Sequence, residues 1–120
     1  MGWEIKICKE AQKDYYKIDN SIRKQVLAGI MKASEAPLPY PNGYGKPLGN
    51  KNGSNLTGFI KIKYKRIGIR VVYTLVASDH IMNILVISAR EDYYCYELAA
   101  MIYEKYGDSV FKDIFENLKL

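Results

Sequence analysis

The residues best suited to chemistry are basic and lie together in the middle of the chain. Residues 60–65 read IKIKYK, and Arg66 and Arg70 follow with no acidic residue among them. Successive side chains of a β-strand point to opposite faces of its sheet, so we expect Lys61, Lys63 and Lys65 to share one face. Such a face can bind a nucleic-acid backbone and stabilise the negative charge that develops on a reacting phosphate.

The same lysines could instead form an ordinary solvated sheet face. A solvated face usually mixes charges of both signs, whereas this segment carries only one sign. Each cation in a cluster also disfavours the next charge, so a lysine there can accept a proton near neutral pH. Arginine stays charged and cannot do so. The pattern therefore favours phosphate binding, with a lysine as the candidate base.

The residue inventory excludes several other mechanisms. His80 is the one histidine in the chain, so a ribonuclease mechanism with two histidines is impossible. Histidine, cysteine and carboxylate residues show no metal-ligand spacing, and no glycine-rich phosphate loop precedes a helix. We therefore expect neither a metal nor another cofactor. Cys8 and Cys95 are expected to be free thiols.

Length, composition and charge indicate one folded domain, residues 1–120. The chain is 48% hydrophobic with a formal net charge of +5, which favours an anionic partner. No apolar run is long enough to span a bilayer, and no signal peptide is visible. We therefore expect a cytoplasmic protein without a membrane partner.

Hydrophobic periodicity predicts an α+β domain. An N-terminal strand and a helical hairpin should pack on a small antiparallel sheet, followed by a C-terminal helix that Gly107 ends. Asn20 or Ser21 is the expected cap of the second helix. The predicted strands are 2–7, 59–64, 69–76 and 81–87, and the predicted helices are 10–19, the segment after 20, 92–106 and 110–118. Residues 107–120 would thus be a helical extension, and the proline-rich residues 36–55 an irregular connector.

The helix predicted after Arg90 is rich in tyrosine. Bases stack on aromatic rings, yet tyrosines also commonly pack a helix against a sheet. Both interpretations stay open for most of these residues, which are Tyr93, Tyr94, Tyr96, Tyr103 and Tyr106.

Several short motifs, taken in order, resemble the RelE/ParE superfamily of toxins from type II toxin–antitoxin systems. The likeness runs from about Trp3 to about Tyr103 and implies a RelE-like fold. The motifs are 13–15 (KDY), 56–58 (LTG), 61–63 (KIK), 68–73 (GIRVVY), 88–92 (SARED) and Tyr96.

The resemblance also implies an activity and its site residues. RelE-like members cleave mRNA in the ribosomal A site without a metal. The ribose 2′-hydroxyl attacks the adjacent phosphate and leaves a 2′,3′-cyclic phosphate and a 5′-hydroxyl. The residues that match the catalytic set of this family are Lys61, Lys63, Arg70, Arg90 and Tyr96, and the expected RNA-binding residues are Lys65, Arg66 and Tyr94.

Each catalytic residue has an expected role. Lys63 would be the general base, while Lys61 and Arg70 hold the scissile phosphate. Arg90 would stabilise the leaving group electrostatically, because an arginine does not readily donate its proton. Tyr96 would stack on or orient a base.

Two other functions remain open at this stage. One is inhibition of DNA gyrase, as in ParE-like members, and the other is a catalytically degenerate toxin that only binds a partner. The family further implies an acidic antitoxin that folds on binding and covers the cationic face or displaces the last helix.

Overall fold

A single mixed sheet organises the residues described by this computed structural model, which are 2–43, 45–51, 54–89 and 92–119. In that part of the chain the strands are β1 (Glu4–Ile7), β2 (Lys46–Lys51), β3 (Ser54–Tyr64), β4 (Ile69–Val76), β5 (Ile81–Ser88) and β6 (Glu116–Asn117). The helices are α1 (Lys9–Lys17), α2 (Asn20–Glu35) and α3 (Asp92–Tyr106), with short 3-10 turns at Ala77–Asp79 and Gly107–Phe111. The predicted α+β class is confirmed.

The order of the strands is β2-β3-β4-β5-β1-β6. Neighbours are antiparallel except β1, which runs parallel to β5. The sheet is therefore mixed and not purely antiparallel as predicted, because β1 pairs with a strand distant in sequence and no tight turn dictates its direction. All eight residues of β5 are buried, as expected for a central strand covered on both faces.

The two faces of the sheet pack against different helices. The face covered by the helical hairpin of α1 and α2 is here called the hairpin face. On it, Tyr64 packs on α2, and its hydroxyl donates a hydrogen bond of 2.8 Å to the Val26 carbonyl. On the opposite face, here called the α3 face, the Phe59 ring lies 5.5 Å from that of Tyr103 and 5.9 Å from that of Phe111. Alternation along β3 puts Phe59, Lys61 and Lys63 on this α3 face.

The N-terminal cap of α2 differs from the prediction. The Asp19 carboxylate accepts hydrogen bonds from the Ser21 backbone N–H (3.3 Å) and from the Ser21 hydroxyl (2.6 Å). An ionised carboxylate satisfies an otherwise unpaired N–H of the first turn and interacts favourably with the helix dipole. Asp19 is therefore the cap, and Asn20 is already the first helical residue.

The predicted helical extension of residues 107–120 is wrong. Gly107, with φ of +59°, ends α3, and the chain continues as one 3-10 turn and the short strand β6. The Val110 carbonyl accepts hydrogen bonds from the Thr74 hydroxyl and, at 2.9 Å, from the Asn83 amide. Asn83 also donates to the Lys112 carbonyl at 3.0 Å. These side chains engage carbonyls that a helix would use itself, and they fix the segment across the sheet.

The proline-rich connector also contains more structure than predicted. Lys46–Lys51 forms the edge strand β2, and β3 begins at Ser54, five residues before the predicted start. An edge strand tolerates Pro47 because the backbone groups on its outer side need no hydrogen-bond partner from another strand. The pairing of β2 with β3 shifts register between Pro47 and Gly49. The connector therefore supplies a further strand beside the basic segment.

None of the helices in the described residues is both long enough and apolar enough to cross a membrane.

Glu10 ties the start of α1 to the end of α3. Its carboxylate accepts hydrogen bonds from the Lys105 ammonium and, at 2.7 Å, from the Tyr106 hydroxyl. Partial burial opposes ionisation, but these hydrogen bonds outweigh it and lower the pKa of Glu10 to about 2. Ionised Glu10 therefore stabilises the packing of the two helices.

Replacing Glu10 by glutamine tests this link through its pH dependence. The pKa is lower in the folded state than the usual 4.5, so the stabilisation is present above about pH 4.5 and is lost as the pH falls towards 2. Because the side chain is 34% exposed, solvent screening leaves about 1 kcal/mol. In urea unfolding, E10Q should lose that much at pH 7 and much less at pH 2.5, whereas the exposed control E116Q should lose little at either pH. A difference between E10Q and wild type that does not vary with pH would contradict this assignment.

Candidate phosphate-binding site

Two cations stand directly opposite each other at the end of the β3–β4 hairpin. Lys63 on β3 pairs with Arg70 on β4, and opposed residues have Cβ atoms about 5 Å apart. The turn sets this register through Gly68, whose φ is +68° and whose N–H donates to the Tyr64 carbonyl at 2.9 Å. Backbone pairing thus holds two mutually repelling positive charges close together. An anion bound between them would relieve that repulsion.

Lys61 lies on the same face as Lys63 but is far more buried. It is only 8% exposed, whereas Lys63 is exposed. Its ammonium donates a hydrogen bond of 3.0 Å to the hydroxyl of Tyr96, which comes from α3. The structure therefore brings four of the predicted catalytic residues, Lys61, Lys63, Arg70 and Tyr96, to one region of the α3 face.

The sequence pattern did not single out Lys46, which also belongs to this region. Lys46 is exposed on β2 and stands directly opposite Lys61. Cross-strand partners point to the same face, so Lys46 extends the row of cations towards the sheet edge. No aspartate or glutamate occurs between Ala36 and Ser78, a signal that could have drawn the connector into the prediction.

Arg90, the fifth predicted catalytic residue, lies outside the described residues. Ser88 and Ala89, which precede it in that motif, are described, and α3 begins at Asp92. Ser88 pairs with Arg70 across β5 and β4.

The predicted RNA-binding residues fall in two places. Lys65 and Arg66 are exposed in the turn after β3, next to the Lys63–Arg70 pair. Tyr94 lies elsewhere, in a groove of about 680 Å³. It lines this groove together with the carboxylates Asp14 and Asp19 and with isoleucines from α2, β4, β5 and the turns that precede α2 and β4. Residues two apart on a helix point in nearly opposite directions, so Tyr94 and Tyr96 cannot serve the same surface.

The site contains groups for electrostatics and proton transfer, and the described residues show no group of three or more metal-ligating side chains. Its cations can orient a phosphate diester and stabilise the charge that develops on it. The amine of a lysine can also take a proton when it is uncharged. His80, Cys8 and Cys95 lie apart from this chemistry: His80 is exposed and packs against Trp3, and both cysteines are buried and form no disulfide.

The same fold occurs in solved toxin structures. A double arginine-to-alanine mutant of the toxin RelE from E. coli matches with a TM-score of 0.64 and 19% identity over 84% of this chain and 97% of that one. The toxin–antitoxin complex RelBE2 from Mycobacterium tuberculosis matches with 0.62 and 22% identity over 77% of this chain and 95% of that one. The archaeal RelE–RelB complex from Pyrococcus horikoshii gives 0.55 and 17% over 77% and 99%. These similarities define the RelE-like fold.

The sequence itself identifies the family. Residues 5–94 match the family described as the ParE toxin of the type II toxin–antitoxin system parDE. The chain therefore belongs to the ParE toxin family of type II toxin–antitoxin systems. No curated protein matches the sequence significantly.

Proposed function

We propose that this toxin is a metal-independent endoribonuclease that cleaves mRNA in the ribosomal A site. The observation that carries the proposal is the convergence of Lys61, Lys63, Arg70 and Tyr96 on the α3 face. The reaction is attack of a ribose 2′-hydroxyl on the adjacent phosphorus, which breaks the bond to the 5′ oxygen. The 2′ proton passes to a base and the expelled 5′ oxygen takes a proton from water, so the products are a 2′,3′-cyclic phosphate and a 5′-hydroxyl.

The geometry suggests how the work is divided. Lys63 is exposed and can reach a substrate hydroxyl, so it is the general base that takes the 2′ proton. Arg70, opposite it, and the buried Lys61 hold the phosphate and the charge that develops on it. Arg90 is proposed to stabilise the leaving oxygen on the strength of the sequence motif.

Cations beside the catalytic residues extend the contact with RNA. Lys46 on one side and Lys65 and Arg66 on the other would pair with phosphates that flank the scissile one. Such contacts release counterions, so the affinity for RNA should fall steeply with added salt.

Inhibition of DNA gyrase is the second candidate function, and the match to the ParE toxin family favours it. A gyrase inhibitor works by binding another protein and needs no proton-transfer residues. The cations paired across β3 and β4 favour cleavage instead, because two like charges directly opposite each other destabilise a sheet and so serve no structural purpose.

A cleavage assay with purified protein separates the two candidates. Ribosomes programmed with a defined mRNA are incubated with the toxin, and the new ends are mapped and their chemistry determined. We expect cuts within the A-site codon that leave 5′-hydroxyl and cyclic phosphate ends. Intact mRNA together with loss of gyrase supercoiling activity in a parallel assay would overturn the ribonuclease in favour of the second candidate.

An antitoxin is the proposed protein partner, and several of the similar structures are complexes with one. The positive charge of this chain suits an acidic segment that folds as it binds. We propose that this segment covers the cations of the α3 face or displaces α3, since either would remove the site. Because ribosomes are the substrate-bearing particles, the toxin would act in the cytoplasm.

A further inference from the structure

The ammonium of Lys61 meets Tyr96 at the hydroxyl end of the ring. The distance from Nζ to the hydroxyl oxygen is 3.0 Å, and that from Nζ to the ring centroid is 4.9 Å. A cation centred over the ring face would be closer to the centroid than to the hydroxyl oxygen. The shorter contact is therefore the hydrogen bond to oxygen, and the ammonium also lies within cation–π distance of the ring.

Burial makes this hydrogen bond important for Lys61. Lys61 as a residue is nearly buried, so its ammonium needs acceptors in place of the water molecules it has lost. Three cations share its face: Lys46 on β2, Lys63 on β3 and Arg70 on β4. These cations repel the Lys61 ammonium, and the hydroxyl oxygen of Tyr96 on α3 offsets the repulsion by accepting its hydrogen bond. The same hydroxyl can still donate its own proton to another group.

The helix that carries Tyr96 is firmly attached to the sheet. Cys95 and Ala99 of α3 are fully buried, and Tyr103 one turn further packs edge-on against Phe59 of β3. Tyr96 therefore has a fixed position above Lys61. It can determine the direction in which the flexible four-carbon side chain of Lys61 points.

We propose that Tyr96 is a positioning residue whose hydroxyl holds the Lys61 ammonium against the scissile phosphate. This role rests on the proposed ribonuclease function and differs from stacking on a base. Stacking uses the ring and is retained by phenylalanine, whereas holding Lys61 uses the oxygen.

The test replaces Tyr96 by phenylalanine and measures two properties. In the first, lysines labelled with ¹³C at Cε are titrated by NMR without RNA, and the Lys61 signal is assigned with a Lys61→Arg variant. Loss of an acceptor disfavours the charged amine, so Y96F should lower the pKa of Lys61 by about 1. In the second, single-turnover cleavage should slow about tenfold while KM stays unchanged.

The matched control is Tyr103→Phe, which also removes a hydroxyl hydrogen bond from α3, here one of 2.8 Å to Asp108. It should change neither the Lys61 titration nor the cleavage rate. Urea unfolding confirms that each variant is folded.

The outcomes separate this inference from the proposed function. An unchanged Lys61 titration in Y96F would overturn the inference, and normal mRNA cleavage by the wild-type protein would leave the proposed function standing. So would a Y96F protein with wild-type cleavage beside an inactive Tyr96→Leu protein, since the ring alone would then matter. Wild-type protein that cleaves no programmed mRNA would overturn the proposed function instead, and the titration would still decide the Lys61–Tyr96 contact.

Discussion

Replacing Lys63 by arginine is expected to lower the rate of mRNA cleavage about as much as replacing it by alanine, by at least about 100-fold. Arginine keeps the positive charge but cannot become neutral at physiological pH and so cannot take the 2′ proton. The equality of the two variants is the sharp part of the prediction. It separates a base from a residue that acts through charge alone.

The measurement is single-turnover cleavage on ribosomes programmed with one mRNA at saturating toxin. Saturation matters because removal of a cation also weakens RNA binding. Lys24→Ala is the matched control, since Lys24 is an exposed lysine of α2, which packs on the hairpin face of the sheet; its rate should equal that of wild type. If Lys63→Arg keeps more than about a tenth of the wild-type rate, Lys63 contributes charge and another group is the base.

Much of this site could be predicted from local sequence because strand geometry is local. Alternation along β3 placed Lys61 and Lys63 on one face, and a short turn after Tyr64 brought Arg70 back beside them. Only a period of two and a tight hairpin were needed for that prediction.

The surroundings of the site could not be predicted in the same way, because they depend on contacts between distant segments. Alternation gives the face of Lys61 but not its burial, which comes from α3 packing above it. The tail seemed helical because its apolar spacing fits a helix, yet Asn83 and Thr74 hold the Val110 carbonyl across the sheet. Tertiary hydrogen bonds there outweigh a weak local preference. Lys46 was hidden by the prolines around it, which favour loops but do not forbid an edge strand.

Gly29 shows a similar conflict between a local preference and the tertiary fold, this time on the hairpin face. It lies inside α2, where alanine would be more favourable by about 1 kcal/mol. A Cβ at this position would overlap the ring of Tyr64, which lies against the helix backbone and donates its hydroxyl proton to the Val26 carbonyl. The close approach of Tyr64 on β3 to the backbone of α2 therefore explains why position 29 is a glycine, although helix propensity alone disfavours it.

Gly29→Ala is accordingly expected to lower the free energy of unfolding by about 2–3 kcal/mol, measured by urea denaturation. Overlap and loss of the Tyr64 hydrogen bond exceed the gain in helix propensity. In a Tyr64→Val background the sign should reverse, and the same substitution should stabilise by about 1 kcal/mol. A destabilisation of equal size in both backgrounds would mean that Tyr64 is not the cause.

Because Tyr64 directly follows Lys63 on β3, displacement of its ring should also disturb the Lys63–Arg70 pair. The single variant should therefore lose cleavage activity beyond what its unfolded fraction explains.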